Sequence, residues 1–598
     1  MMAFHENPAF VAPARTERHL QPDGSIVLRS PEALGPYARC IGEWIERWSA
    51  ETPDALALAE RVGAERWRRV RWGELRHAVG AIGQRLIDLG LPRDQPIVIL
   101  SDNAIDNAML MFAAMHVGLP VCTVSSAYCR LTQDHTKVRG ILDTLRPSLV
   151  YASNAKVYGA AMTASAGMAI KVLSEGAAEL PGALDFASFL ATRETAAVAD
   201  AFERIAADDV AKYLLTSGST GQPKVVINTH RMLCANQQSL AQTWPFLEKM
   251  KPVLLDWLPW SHTFGGNHNL NLVLRNGGAL YIDDGRPVPG LIESTVRNLR
   301  DVRPNLHFNV PRGLEMLLPF LEVDAELARE ILSPLLLVFY AAAALPSATW
   351  ERLQRLATQV RSEPLWLTTS WGSTETSPLV TSAHFGLDGP GCIGVPVPGL
   401  ELKLVKVGEK QEMRVRGVSV FPGYRNAPAL TEAAFDEEGF YKIGDAGYLV
   451  DPDDPARGVV FDGRVAEDFK LTTGTWVSVG PLRLAVVSAL SPFAQDVVIT
   501  GHDRNEIGLL IFPSAAAVKA PPDVVGEKIR QALGVFQQRG AGSSQAPRRA
   551  MLLMEPPNAD AGEITDKGYL NQRAVLARRA DLVSCLYADD DDALVIRV

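Results

Sequence analysis

The chain lacks the features that mark secreted, metal-clustered and membrane-spanning proteins. Its 598 residues include six cysteines, at positions 40, 122, 129, 234, 392 and 585, with no C-x-x-C pair. Thiols scattered this way argue against a disulfide framework or a zinc site and read as reduced side chains in a reducing compartment. The opening MMAFHENPAFVAPARTERHL has no apolar core behind a basic start, so no secretory signal is visible and a cytoplasmic protein is expected. The most apolar run, Ile331 to Pro346, contains Ser333 and Pro334. It falls short of the roughly 20 residues that cross a bilayer. A buried strand followed by a turn is expected there instead. Positive charge is also scarce: 59 basic side chains stand against 68 acidic ones, a net charge of −9. That balance disfavours a nucleic-acid binder. It remains compatible with a nucleotide, because a few backbone N–H groups and one lysine suffice for a phosphate chain.

A chain of this length needs more than one hydrophobic core. Residues 1–35, rich in Pro, Arg and Glu, read as a loosely ordered arm. From Tyr37 helix-like and strand-like stretches alternate. Trp72 to Leu89 has apolar residues near 3.6 spacing and stops at Gly90, predicting a helix. Pro96 to Leu100 reads as a buried strand, Asn103 to Val117 as helix and Leu119 to Val124 as strand. Such alternation predicts α/β layers with parallel strands. Turn-rich short strands follow, such as Glu401 to Val405 and Met413 to Val420. Beyond Gly463 the pattern changes to short strands and helices, including Asp496 to Thr500, Leu509 to Pro513 and Val524 to Leu533. The boundary is placed at Arg464: residues 36–464 form the large domain and 465–598 a small α+β one, an ordinary domain size. Gly540 to Pro547 reads as a loop and Asp589 to Asp592 as a solvated acidic tail.

The most informative segment runs from Tyr213 to Ile227, where Thr216-Ser217-Gly218-Ser219-Thr220-Gly221-Gln222-Pro223-Lys224 lies between two apolar runs. It reads as strand, loop, strand. The spacing departs from a Walker A loop, which joins a strand to a helix, but the ingredients are alike. Gly218 and Gly221 allow left-handed backbone and close approach. Four hydroxyls and the loop N–H groups can donate to phosphate oxygens, and Lys224 supplies a point charge. A flexible polar hairpin is the plain alternative.

This loop resembles the phosphate-binding signature of the adenylate-forming superfamily: acyl- and aryl-CoA synthetases, adenylation domains of peptide synthetases and beetle luciferases. Further segments resemble that family in order. Leu258 to Gly266 (LPWSHTFGG) is similar to the segment in which His262 would border an acyl pocket. Ala342, Ala343 and Ala344 stand where the family turns against adenine, with alanines in place of the usual glycines. Trp371-Gly372-Ser373-Thr374-Glu375 resembles the aromatic-Gly-x-Thr-Glu motif. It implies Trp371 as a face for adenine, Thr374 on the α-phosphate and Glu375 as a hard oxygen for Mg²⁺. Asp445 matches the ribose-binding aspartate and Arg464 the ribose-contacting arginine that opens the hinge. The charged hinge residue two positions later is Ala466 here, followed by Glu467 and Asp468. Lys470 and Gly474 fall in the segment that meets substrate when the small domain rotates, with Arg483 where a glutamate is common. That run, with Gly562 to Arg573, looks like the feruloyl-CoA synthetase branch, and implies Lys567 as the catalytic lysine.

The resemblance implies a large multi-layer domain with mixed sheets and helices, plus a small mobile α+β domain. It also implies a ligase using ATP, Mg²⁺ and coenzyme A. The expected substrate is a hydroxycinnamate such as ferulate, p-coumarate or caffeate. Another aromatic or medium-chain acid is the alternative, as is an adenylation enzyme loading a carrier protein, although no carrier domain follows. A binding protein that kept the fold is a third, disfavoured by the loop, Glu375, Asp445 and Lys567 together.

Overall fold

Two largely buried helices set the centre of the large domain: Ile105–His116 because it is apolar nearly all round, and His230–Thr243 because its polar side chains, such as Asn236 and Gln237, are hydrogen-bonded inside. Eleven of the twelve residues of Ile105–His116 are buried, as are eleven of the fourteen of His230–Thr243. The computed structural model describes residues 4–63, 65–130, 135–164, 169–216, 223–473, 475–538, 544–558, 561–564, 570–588 and 595–598. Among them, the expected helix at Trp72 is Trp72–Asp88, and the two expected early strands are Ile97–Ile99 and Val121–Thr123. The acidic run from Asp589 lies outside the described residues, as do positions 540–543 of the loop expected at Gly540 to Pro547.

The short apolar runs assemble into a seven-stranded sheet. In order, its strands are Lys224–Thr229, Val210–Thr216, Val121–Thr123, Ile97–Ile99, Leu149–Asn154, Ile170–Glu175 and Leu184–Asp185. All neighbours are parallel except the first pair. An eleven-stranded sheet contributes to the same apolar core. Its strands Leu306–Asn309, Leu337–Tyr340 and Trp366–Gly372 are parallel, and the sheet turns antiparallel at Leu379–Ser382. The apolar run at Ile331 therefore resolves into the end of helix Ala325–Leu332, then the four-residue strand Leu337–Tyr340 and a turn.

The first 35 residues differ from the expected loose arm. Glu17–Leu20 and Ile26–Arg29 form a hairpin, and its second strand pairs with Leu400–Val407 at the edge of the eleven-stranded sheet. The turn is Pro22-Asp23-Gly24 with Gly24 at φ +82°, a tight-turn signature that precedes the β-prone Ile26, Val27 and Leu28. Ahead of the hairpin, Phe4 stacks on Phe10 at 5.0 Å and meets Phe246 and Trp366. Trp366 contacts Trp244, Trp244 contacts Phe339, and Phe339 contacts both His268 and Phe264. A continuous column of rings thus runs from the amino terminus into the core.

The small C-terminal domain has its own interior. Phe469, Val477, Leu482, Val497, Ile511 and Leu533 belong to one apolar cluster, and Leu510, Phe512, Met551 and Leu586 to a second. Among the described residues, no helix is long and apolar enough to cross a membrane.

Candidate active site

The sequence expected strand, loop, strand around Thr216 to Lys224, and the two strands pair antiparallel with Thr216 opposite Lys224. The loop residues Ser217, Gly218, Ser219, Thr220 and Gly221 lie outside the described residues. Strand Lys224–Thr229 would be a bare sheet edge, but a later segment covers it. Val226 bridges to Tyr424, the Ile227 N–H donates to the Gly423 carbonyl, and the Arg425 N–H donates to the Val225 carbonyl at 2.9 Å. This places the Tyr424 ring 5.0 Å from the Lys224 ammonium, a cation–π distance. The Tyr424 hydroxyl donates to Glu375 Oε1 at 3.1 Å. The phosphate hairpin and the expected metal carboxylate are therefore joined through one tyrosine.

Glu375 belongs to the short turn Thr374–Thr376 that follows strand Trp366–Gly372. Close backbone packing forces this turn: a Cβ on Gly372 would lie 1.6 Å from the Pro378 carbonyl oxygen. The Ser373 N–H donates to Thr376 Oγ1 at 2.9 Å, while Ser373 Oγ is buried without a partner among the described residues. Thr374 and Glu375 are both buried, and the Thr374 carbonyl faces Asn228 Nδ2 at 3.5 Å. Glu375 engages one carboxylate oxygen with Tyr424, leaving the other without a hydrogen bond among the described residues. No cluster of three or more His, Cys, Asp or Glu side chains is found among those residues. A single hard carboxylate oxygen fits Mg²⁺, which is commonly held by one or two carboxylates together with substrate phosphates.

Trp371 is largely buried, and its indole N–H donates to Asp445 Oδ2 at 2.8 Å. The Arg464 Nε lies 2.8 Å from Asp445 Oδ1, across the strand pairing that sets Asp445 opposite Arg464. Burial pushes the Asp445 carboxyl up, while Arg464 and Trp371 hold it down. The Arg464 contact is an ion pair outside hydrogen-bonding geometry, so Oδ1 keeps an unused acceptor position.

His262 is half-buried, and its Nδ1 accepts from the Phe264 N–H at 3.2 Å. Nδ1 therefore carries no proton, and the neutral ring is protonated on Nε2. The π-helical turn Phe264–Asn269 follows directly. Ala342 and Ala343 are exposed and Ala344 is half-buried. Ala342 adopts φ +73°, a left-handed conformation that glycine takes without strain.

The described hinge residues are more exposed than Trp371, Glu375 and Asp445. Ala466 and Lys470 are exposed, with the Lys470 ammonium 5.0 Å from the Trp476 ring. Asp468 is half-buried with its side chain enclosed: Lys410 Nζ lies 2.5 Å from its Oδ2, and its Oδ1 accepts from the Val479 N–H at 3.0 Å. Arg483, where a glutamate is common, pairs with Asp496. Gly474 and Lys567 lie outside the described residues.

The sequence profile of the family described as AMP-binding enzyme matches residues 45–425, well over half of the chain. The chain belongs to the AMP-binding enzyme family. The profile of the AMP-binding enzyme C-terminal domain matches residues 468–591. Among curated AMP-binding relatives, the chain is 26% identical over 240 residues to a chloroplastic long-chain-fatty-acid–[acyl-carrier-protein] ligase of Arabidopsis thaliana. That match covers 37% of this chain and only 32% of the relative's length. It is also 26% identical over 551 residues to 4-coumarate–CoA ligase 2 of Oryza sativa subsp. japonica, covering 87% of this chain and 91% of the relative. A crystal structure of the anthranilate CoA ligase AuaEII in complex with anthranoyl-AMP shares the fold. Its TM-score is 0.73 at 19% identity, over 92% of this chain and 99% of that one.

Three residues of this AMP-binding enzyme that hold the site together escaped sequence reasoning. Tyr424 follows a readable Pro422-Gly423 turn, yet nothing there points to Glu375, 49 residues earlier. Asn228 and Lys212 sit inside strands, where a polar residue reads as solvent-facing, although both are buried.

Proposed function

We propose that the chain is an AMP-forming ligase that joins a hydroxycinnamic acid such as ferulate, p-coumarate or caffeate to coenzyme A. The observation that best supports this is Tyr424, which couples Lys224 of the phosphate hairpin to the buried Glu375 carboxylate. In the first step a carboxylate oxygen of the acid attacks the α-phosphorus of ATP. The bond to the bridging oxygen breaks, and pyrophosphate leaves. In the second step the CoA sulfur attacks the acyl carbon, its proton is lost to solvent, and AMP leaves.

The protein's part is positioning and charge stabilisation. Thr216, Lys224 and the hydroxyls of Ser217, Ser219 and Thr220 would hold the β- and γ-phosphates. The free Asp445 Oδ1 acceptor suits a ribose hydroxyl, with Arg464 alongside. Glu375 would hold Mg²⁺, which neutralises phosphate charge. Lys567 would bridge the acid carboxylate and the α-phosphate, and Lys470 and Gly474 would approach when the small domain turns. His262 would border the acid. The hydroxycinnamate assignment draws on the likeness of the C-terminal run to the feruloyl-CoA synthetase branch and on the rice 4-coumarate–CoA ligase relative.

The test is AMP release with CoA across cinnamates, benzoates and fatty acids. Turnover strongest with a hydroxycinnamate is expected. Preference for a fatty acid or benzoate overturns the substrate assignment, and no acid-dependent AMP release with any acceptor overturns the ligase reading. A second reading, loading of a carrier protein, draws on the acyl-carrier-protein ligase relative. It would be supported by turnover with a carrier and none with CoA.

A further inference from the structure

Lys212 lies in strand Val210–Thr216, four residues before the phosphate loop, and is 2% exposed. Burial lowers its ammonium to about 7, with no neighbouring charge compensating. Its Nζ donates to the Gly266 carbonyl at 2.9 Å and to Asn267 Oδ1 at 3.3 Å. A buried amine served by neutral acceptors alone costs stability that a methionine of similar shape would not. Its place is explained by what it holds.

Asn267 is the hub. Its Nδ2 donates to Asn228 Oδ1 at 2.7 Å and to Thr263 Oγ1 at 3.2 Å. Asn228 is the cross-strand partner of Lys212 in the phosphate hairpin, and its own Nδ2 faces the Thr374 carbonyl. Both strands of the hairpin are thus tied to one side chain of the π-helical turn behind His262. The turn cannot drift, because a Cβ on Gly265 or Gly266 would lie 2.4 Å from the carbonyl oxygen of Leu258 or Trp260. Gln237 Nε2 holds it from the other side through the Asn267 and His268 carbonyls.

We infer that Lys212 is a positioning residue: with Asn267 it locks the phosphate hairpin to the turn that follows His262. It thereby sets the separation between a nucleotide held on the hairpin and a carboxylate held beside the turn. This rests on the ligase reading above. The lock serves the step in which carboxylate and α-phosphate must meet, and contributes nothing once the acyl-adenylate exists.

Lys212→Met tests it, with ferulate or whichever acid releases most AMP. Acid-dependent ATP–pyrophosphate exchange should fall in kcat by about 10- to 100-fold, the order of loss for a displacement near 1 Å. KM for ATP and for the acid should change little. CoA thioester formation from supplied acyl-adenylate and the melting temperature should match or exceed the wild type. Asn267→Leu should give the same loss in exchange, and the double variant no further loss, since both break one link. Unaltered exchange in Lys212→Met overturns the inference. So does an equal loss in both half-reactions with a lowered melting temperature, which marks a structural role only. Absence of exchange by the wild-type chain overturns the ligase reading and this inference with it, whereas wild-type exchange that survives the substitution overturns this inference alone.

Discussion

Tyr424 donates its hydroxyl to Glu375 across 3.1 Å while its ring faces the Lys224 ammonium. Burial raises the Tyr424 hydroxyl, so it stays protonated and remains a donor at neutral pH. Tyr424→Phe keeps the ring and removes only the donor. Adenylation is expected to fall about tenfold, the size of one hydrogen bond to a charged group. The concentration of Mg²⁺ needed for half-maximal exchange should rise. Pyrophosphate exchange measured across a Mg²⁺ series checks both, and an unchanged Mg²⁺ requirement would remove Glu375 as the metal carboxylate.

Lys567→Ala separates the two half-reactions. Adenylation should drop by about 10²–10³, comparable to loss of an oxyanion donor. Thioester formation from supplied acyl-adenylate should be largely spared. Equal loss in both would refute the role given to this lysine.

Ala342→Gly should stabilise the protein. At φ +73° the alanine methyl costs about 1–2 kcal/mol, and glycine gives back about 0.4–1 kcal/mol through its freer unfolded chain. A net gain of about 1 kcal/mol should appear as a higher melting temperature with exchange activity retained. A lower melting temperature would mean that the methyl makes a compensating contact.

The buried Lys212 predicts a pH-dependent difference between wild type and Lys212→Met. Its value falls from 10.5 unfolded to about 7 folded, so between these limits the unfolded state binds more protons. Stability linked to this group therefore rises as pH increases from 7 toward 10.5, and is lost as pH falls back to 7. The wild type should gain on the variant by up to about 1.4 kcal/mol per pH unit in that window. Urea unfolding of both proteins at pH 7, 8 and 9 gives the slope, and a flat difference would place an unrecognised counter-charge beside the amine.

Local periodicity made much of the fold legible. Helix Trp72–Asp88 and strands Ile97–Ile99 and Val121–Thr123 follow from spacing and punctuation alone, because each is decided by its own residues. The hairpin at Glu17–Leu20 was readable from Pro22-Asp23-Gly24, but overall polarity obscured it. The site was legible wherever the residues sit in one motif, as from Trp371 to Glu375. What binds one motif to another was not. Tyr424 with Glu375, Asn267 with Asn228 and Lys410 with Asp468 meet through folding of distant segments, and no single stretch carries the signal.

The ring column has a practical side. Phe4 leans on Trp366, Trp366 on Trp244, Trp244 on Phe339, and Phe339 on Phe264, two residues past His262. Phe4 and Phe10 thus brace, through a relay of rings, the segment that follows His262. Removing residues 4–10 would strip the outer end of that stack, and is expected to show as a lower melting temperature.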